Sequence, residues 1–175
     1  VDPQNYEAYK ALSHIEQIRG NFDETITYAR KAVDLNPYAP DALAHLATRL
    51  VYRGKVEEAY PLMEEAITRS AGPIPYYFHV PAIYHMLNGN WEEMHTAASM
   101  AIVDGSGASH SLMAVALGGL GKPEAAQSHL EIVAERWPML YSDPARALAI
   151  QNVDERLISA FVDALPLTGW SPPPD

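Results

Sequence analysis

The residues of this chain that could do chemistry are seven histidines, a set of clustered carboxylates, scattered serines and one glycine–serine loop. Two histidines four apart on a helix leave the same face and can hold a transition metal, as in the H-E-x-x-H pattern. No two histidines stand at that spacing and no H-E-x-x-H occurs. A metal could then be held only by residues from separate helices, and no metal or cofactor is expected. Glu57, Glu58, Glu64 and Glu65 recur seven residues apart on one predicted helix, the pattern of a solvated acidic face. Acid–base catalysis needs two carboxylates in a cleft with their pKa values pushed apart, and nothing here indicates a cleft. Glu92 and Glu93 fall in the first turn of a predicted helix, where they oppose its dipole. No serine lies in a G-x-S-x-G element. Asp104-Gly105-Ser106-Gly107 precedes a helix as phosphate-binding loops do, but it lacks the lysine and the G-K-[ST] element. It reads as a flexible connection, and Gly72-Pro73-Ile74-Pro75 as a longer one that restarts a helix. The chain is expected to have no catalytic residues.

Composition narrows the partners. Twelve basic and 22 acidic residues give a net charge of −10, and the basic ones are scattered. Nucleic acids and anionic membranes need concentrated Lys and Arg, so both are poor partners for this segment. An apolar share of 48% argues for a packed core. The longest apolar stretch, Leu112 to Leu120, is too short to span a bilayer and contains two glycines. Without cysteine there are no disulfides, thiolate ligands or thiol nucleophiles. No signal-peptide pattern opens the chain, so a cytoplasmic location is expected. Val1-Asp2-Pro3 reads as the tail of an earlier element, which makes the chain a fragment of a longer protein whose targeting segment could lie outside it.

The elements that must position these residues repeat. Pro3 and Pro37, Gly20 and Gly54, and Ala32 and Ala66 each lie 34 residues apart; Gly89 follows Gly54 by 35, and Gly121 follows Gly89 by 32. Helical periodicity through Tyr9, Leu12, Ile15 and Arg19 stops at Gly20, which supplies the left-handed conformation that closes a helix. Phe22, Val56, Trp91 and Pro123 then open second helices, and the first of these ends at Asn36-Pro37. Each unit is a helical hairpin with a very short link.

This pattern resembles the tetratricopeptide-repeat family. Tyr9, Leu12, Gly20, Phe22, Ala32 and Pro37 carry the likeness in the first unit, and Leu43, Leu46, Gly54, Ala59 and Ala66 in the second. Phe78, Ala82, Gly89, Trp91 and Ala101 carry it in the third, and Ala114, Gly121, Ala126 and Pro138 in the fourth. Small residues recur where helices should cross, at Ser13, Ala47, Ala82 and Ala114 and at Ala32, Ala66 and Ala101. Thr25, Met94 and Val133 depart from the small residue usual at their places. The resemblance implies an all-α, right-handed superhelical solenoid with repeats over about 5–37, 39–71, 74–104 and 107–138, capping helices over 139–166 and a tail over 167–175. Within the cap, Asp143-Pro144 should open a helix to Ile150, and Asn152 should cap a final helix with Glu155 completing a capping box. Leu157, Phe161 and Leu165 form the apolar face of that helix, which Pro166 ends and which would hide the flank of the last repeat.

By the family's arrangement the first helix of each hairpin lines a concave groove. Its outward positions would be Glu7, Lys10, His14 and Gln17; then Asp41, Ala44, Thr48 and Val51; then Tyr76, His79, Ile83 and Met86; and finally Ala108, Ser111 and Val115. The groove so read is polar at one end and apolar toward Tyr76 and Met86. It suits a protein or peptide partner, or the face of a second copy in a homodimer. The family's chaperone-binding members clamp a terminal carboxylate with several Lys, Asn and Arg residues, of which only Lys10 is matched. More narrowly, Tyr76-Tyr77-Phe78-His79, Leu87-Asn88-Gly89-Asn90-Trp91, Arg136-Trp137-Pro138 and Asp154-Glu155-Arg156-Leu157 resemble the carboxyl-terminal repeats of bacterial signalling proteins. In those proteins the repeats follow a class III adenylyl-cyclase or a winged-helix DNA-binding domain. That likeness implies a sensory or regulatory interaction module; a free-standing scaffold or self-association module is the alternative.

Overall fold

Gly20, Gly54, Gly89 and Gly121 all take positive φ values, between 68° and 80°, and each sits in the tight link between two helices. A Cβ disfavours that conformation, so the recurring glycine is what lets a link of two or three residues close. A computed structural model describes residues 5–171 and holds, among them, eleven α-helices, two 3₁₀ turns and no strand. The chain divides into two compact units at Pro73–Ile74.

The first unit contains α1 (Tyr6–Arg19), α2 (Phe22–Leu35), α3 (Pro40–Tyr52) and α4 (Val56–Arg69). Helices α1 and α2 pack as one hairpin and α3 and α4 as the next, with α2 against α3 between them. Asn5 caps α1 through its side chain, and Pro40 starts α3 at a position that needs no N–H. Ser13, Ala32, Ala47 and Ala66, at the expected crossings, are fully buried. Thr25 is equally buried, so its place is kept although its residue type is not.

The second unit contains a 3₁₀ turn (Pro75–Phe78), α5 (His79–Leu87), α6 (Trp91–Ala101), α7 (Gly107–Gly119), α8 (Pro123–Arg136), α9 (Pro138–Ser142), α10 (Pro144–Ile150), α11 (Glu155–Ala164) and a second 3₁₀ turn (Leu165–Thr168). Hairpins α5/α6 and α7/α8 are joined through α6 and α7. Ala82, Ala101 and Ala114 have no exposed surface, and Met94 and Val133 are buried with them. Ser106 caps α7 and Asp143 caps α10, each accepting a backbone N–H.

Helix α7 is the centre of this unit. Every residue from Gly107 to Gly118 is buried except Ala108, which is half-buried. A helix that offers solvent no polar face must be covered all round. The covering comes from α5, α6 and α8, and also from α11 and the second 3₁₀ turn. That turn lies directly on Gly118: a Cβ built there would fall 2.7 Å from the Leu167 carbonyl carbon and from the Thr168 nitrogen. The tail expected from residue 167 therefore begins as packed structure. Thr168 is fully buried, and the Trp170 indole N–H donates to the Tyr141 carbonyl at 3.0 Å. Of Ser171-Pro-Pro-Pro-Asp175, all but Ser171 lies outside the described residues.

The cap of α11 differs from expectation. Asp154, not Asn152, accepts the backbone N–H of Arg156, while Asn152 occupies the left-handed region at φ 57° and turns the chain out of α10. Both residue types cap well, but Asn tolerates the left-handed conformation better than other side chains bearing a Cβ. Pro166 falls inside the second 3₁₀ turn, two residues after α11 ends.

Replacing Gly118 with Ala should destabilise the protein. Overpacking against a backbone costs about 1–3 kcal/mol and outweighs the roughly 1 kcal/mol that alanine adds to a helix. Gly72→Ala, where a Cβ meets nothing within 4 Å, should stay within about 0.5 kcal/mol of wild type in urea unfolding.

Candidate functional site

Stripes four residues apart face each other across α1 and α3. The Lys10 ammonium bonds to Asp41, and also to Glu7 at 3.0 Å. Ser13 donates its hydroxyl proton to the Thr25 carbonyl at 2.9 Å, so its oxygen accepts from His45 Nε2, also at 2.9 Å. One turn on, the Arg49 guanidinium donates to His14 Nδ1 at 3.3 Å. Asp41, His45 and Arg49 thus answer Lys10, Ser13 and His14 as a polar zipper.

Electrostatics fit this pairing. Burial opposes the Lys10 charge, but the Asp41 and Glu7 carboxylates outweigh it and hold its pKa above the ordinary lysine range. Burial, then the Arg49 and Lys10 charges, push His45 down to about 3. It is therefore a neutral imidazole with its proton on Nε2, fixed by the bond to Ser13.

The predicted groove residues divide accordingly. Lys10 and His14 belong to the zipper, with half-buried Gln17 beyond them on the same face of α1. Thr48 donates its hydroxyl to the Ala44 carbonyl at 2.8 Å, along its own helix. Ala44 and Val51 are buried and are not groove residues.

In the second unit the apolar end of the expected groove is closed. Met86 and Val115 are buried, in one cluster with Phe161, Ala164 and Leu165. Ile83 packs against that cluster, and Ser111 is buried with its hydroxyl turned back to the Ala108 carbonyl. Helix α11 touches both α5 and α7, which places it across the first-helix face of these hairpins. Periodicity put Met86 and Ile83 on the correct face but could not show that the chain's own last helix fills it. His79 is half-buried at the start of α5, and burial lowers its pKa. Tyr76 alone of this group is exposed, edge-on to buried Tyr77 at a centroid distance of 5.4 Å.

Among the described residues no three His, Cys, Asp or Glu side chains are grouped so as to hold a metal ion. No described helix is long and apolar enough to cross a membrane.

Solved structures of similar architecture cover nearly the whole chain. YrrB, described as a TPR protein with an unusual peptide-binding site, aligns over 96% of this chain and 89% of its own, with 13% identity and a TM-score of 0.64. PilF of Pseudomonas aeruginosa aligns over 95% and 77%, with 17% identity and a TM-score of 0.65. MamA of Desulfovibrio magneticus RS-1 aligns over 93% and 94%, with 11% identity and a TM-score of 0.64. The chain has the tetratricopeptide-repeat fold. No protein-family model matches its sequence, and no curated protein matches it significantly.

Within this repeat fold, sequence reasoning missed Ser13 and His45 as partners because it followed the stripe Asp41, Ala44, Thr48, Val51. A signal was present: Asp41, His45 and Arg49 are polar at four-residue spacing on a helix otherwise rich in Ala and Leu.

His45 predicts a pH dependence. Its folded pKa lies below the unfolded value near 6.5, so its contribution is complete above that value and falls away as pH drops. Between pH 7.5 and 5.0 this amounts to at most about 2 kcal/mol. His45→Gln, which can still donate to Ser13, should flatten the urea-unfolding stability profile by that amount; an unchanged slope would show that His45 is not the group responsible.

Proposed function

We infer that this chain is a non-catalytic protein-interaction module that recognises a peptide or protein segment on the α1–α3 face of its first unit. The observation that carries the reading is the contrast between two first-helix faces. The face of α5 and α7 carries the chain's own α11, whereas that of α1 and α3 carries a row of polar side chains with Glu7 and His14 exposed. Its ionic groups are paired with one another rather than directed at a common point, which suits recognition better than catalysis. The likeness to YrrB, whose structure is described as having a peptide-binding site, supports a peptide as the ligand class.

The finer reading is that the module belongs to a bacterial signalling or transcriptional regulator. It rests on the resemblance carried by Tyr76–His79, Leu87–Trp91 and Asp154–Leu157. The source gene tests it: an upstream cyclase or winged-helix domain supports the reading, and an open reading frame without an effector domain overturns it. Self-association is the second reading, favoured by Ile15 and Ile18, which are 41% and 75% exposed three residues apart on α1. Sedimentation across a concentration range separates the two, a strictly monomeric species removing the dimer.

Peptides selected from a display library on the immobilised chain should lose about tenfold or more in affinity when His14 and Gln17 are both replaced by Ala, with thermal stability nearly unchanged. Met86→Ala should instead cost about 2–5 kcal/mol of stability, because it empties a core position. Retention of full affinity in the first variant would move the site off the α1–α3 face.

A further inference from the structure

Across the α7/α8 hairpin, His110 and His129 meet with their Nδ1 atoms 2.7 Å apart. The ring centroids are 4.9 Å apart, close to the separation of two imidazoles whose nitrogens point straight at each other. One metal ion held by both rings would keep their nitrogens about 3.3 Å apart at the tetrahedral angle, given metal–nitrogen distances of roughly 2.0–2.1 Å. The contact is therefore a hydrogen bond between one Nδ1–H and one bare Nδ1. His110 is buried, and its Nε2 has no partner. A buried N–H without an acceptor is costly, so the favoured arrangement leaves His110 Nε2 bare. His110 then carries its proton on Nδ1 and donates it to His129 Nδ1, while half-buried His129 carries its own on Nε2.

We propose that this pair is an acid-sensitive latch: the neutral rings tie α7 to α8, and uptake of one proton from solvent by either ring releases them. The added proton has two kinds of place to go. On the accepting Nδ1 it sets two N–H groups face to face, and the bond is lost. If the bond is kept, whichever ring holds the charge, the third N–H falls on His110 Nε2, where it is buried without an acceptor. Two other groups act on the pair. Asp104, in the loop before α7, favours a proton on His110; His95 of α6 disfavours one on His129. Among the described residues, α5, α11 and the second 3₁₀ turn, which also pack on α7, place no charge that acts on either ring. Burial is the largest influence on both rings and holds them below the ordinary imidazole range. The latch is thus closed above about pH 6.5 and loosens as pH falls below it. Because α5, α6, α11 and the second 3₁₀ turn also pack on α7, loosening its bond to α8 reaches that unit's core.

Nitrogen-15 correlation spectra of the full chain at pH 7.5 read the tautomers directly. The expected result is His110 protonated on Nδ1 alone and His129 on Nε2 alone; a His110 proton on Nε2, or two averaged rings, overturns the proposal. Hydrogen exchange in residues 107–136, corrected for intrinsic rates, gives the second readout. Each proton excluded from the folded state raises the opening equilibrium by at most about 30-fold between pH 7.5 and 5.0. Wild type should show a rise about tenfold greater than His129→Gln, which retains a hydrogen-bonding group that does not titrate. Equal rises in the two proteins overturn the latch, and if the variant does not fold, the wild-type spectra decide alone.

Discussion

Close approach of helix backbones is the constraint on which the rest of this structure depends. Two helices can cross at short range only where neither places a bulky side chain between the axes. The seven crossing positions Ser13, Ala32, Ala47, Ala66, Ala82, Ala101 and Ala114 meet that condition and have no exposed surface. The larger residues around them then fill the spaces on either side, as Leu50, Met63 and Met94 do. Ser13 shows the condition at its strictest. It is small enough for the α1/α2 crossing, and its hydroxyl is satisfied twice, by the Thr25 carbonyl and by His45, so burying it leaves no polar group unpaired.

Two first-helix faces built on the same crossings have opposite chemistry. Across α1 and α3 the contact is made by Lys10 with Asp41, Ser13 with His45 and His14 with Arg49. Partly exposed contacts such as Lys10–Asp41 and His14–Arg49 add little to stability, but they fix which residues lie opposite one another and leave a polar surface. On α5 and α7 the same face is apolar and holds Phe161, Ala164 and Leu165 of the chain's own last helix and turn. An apolar face left open would attract other chains, and a helix bearing Leu157, Phe161 and Leu165 at four-residue spacing is suited to cover it.

The repeat was legible because glycine spacing, small residues and helix-closing prolines all answer to backbone geometry, which one sequence displays directly. The occupancy of a face was not. Met86 and Ile83 have the same helical phase whether solvent, a partner or α11 lies above them. The available clue lay elsewhere, in the unbroken apolar run from Leu112 to Leu117: it cannot be amphipathic, and so it announces a helix covered on every side. Asn152 failed for a related reason. Asn at that point suits both a helix cap and a left-handed turn, and only the path of the chain out of α10 decides between them.

The same reasoning explains why histidines so poor in motif spacing still matter. Metal-binding patterns look along one helix, whereas His45 and His110 act across helices, each against a residue 19 to 32 positions away. In this repeat fold such separations bring side chains together because the hairpin recurs, and a polar side chain on one helix then meets its counterpart on a neighbouring one. Ser13 can satisfy a neutral imidazole indefinitely, since a hydroxyl both donates and accepts. A second imidazole can do so only while each ring keeps one nitrogen bare. That difference in donor and acceptor count lets the hydrogen bond from His45 to Ser13 outlast protonation, which burial makes costly, whereas a proton added to the His110–His129 pair either breaks its bond or leaves a buried N–H without an acceptor.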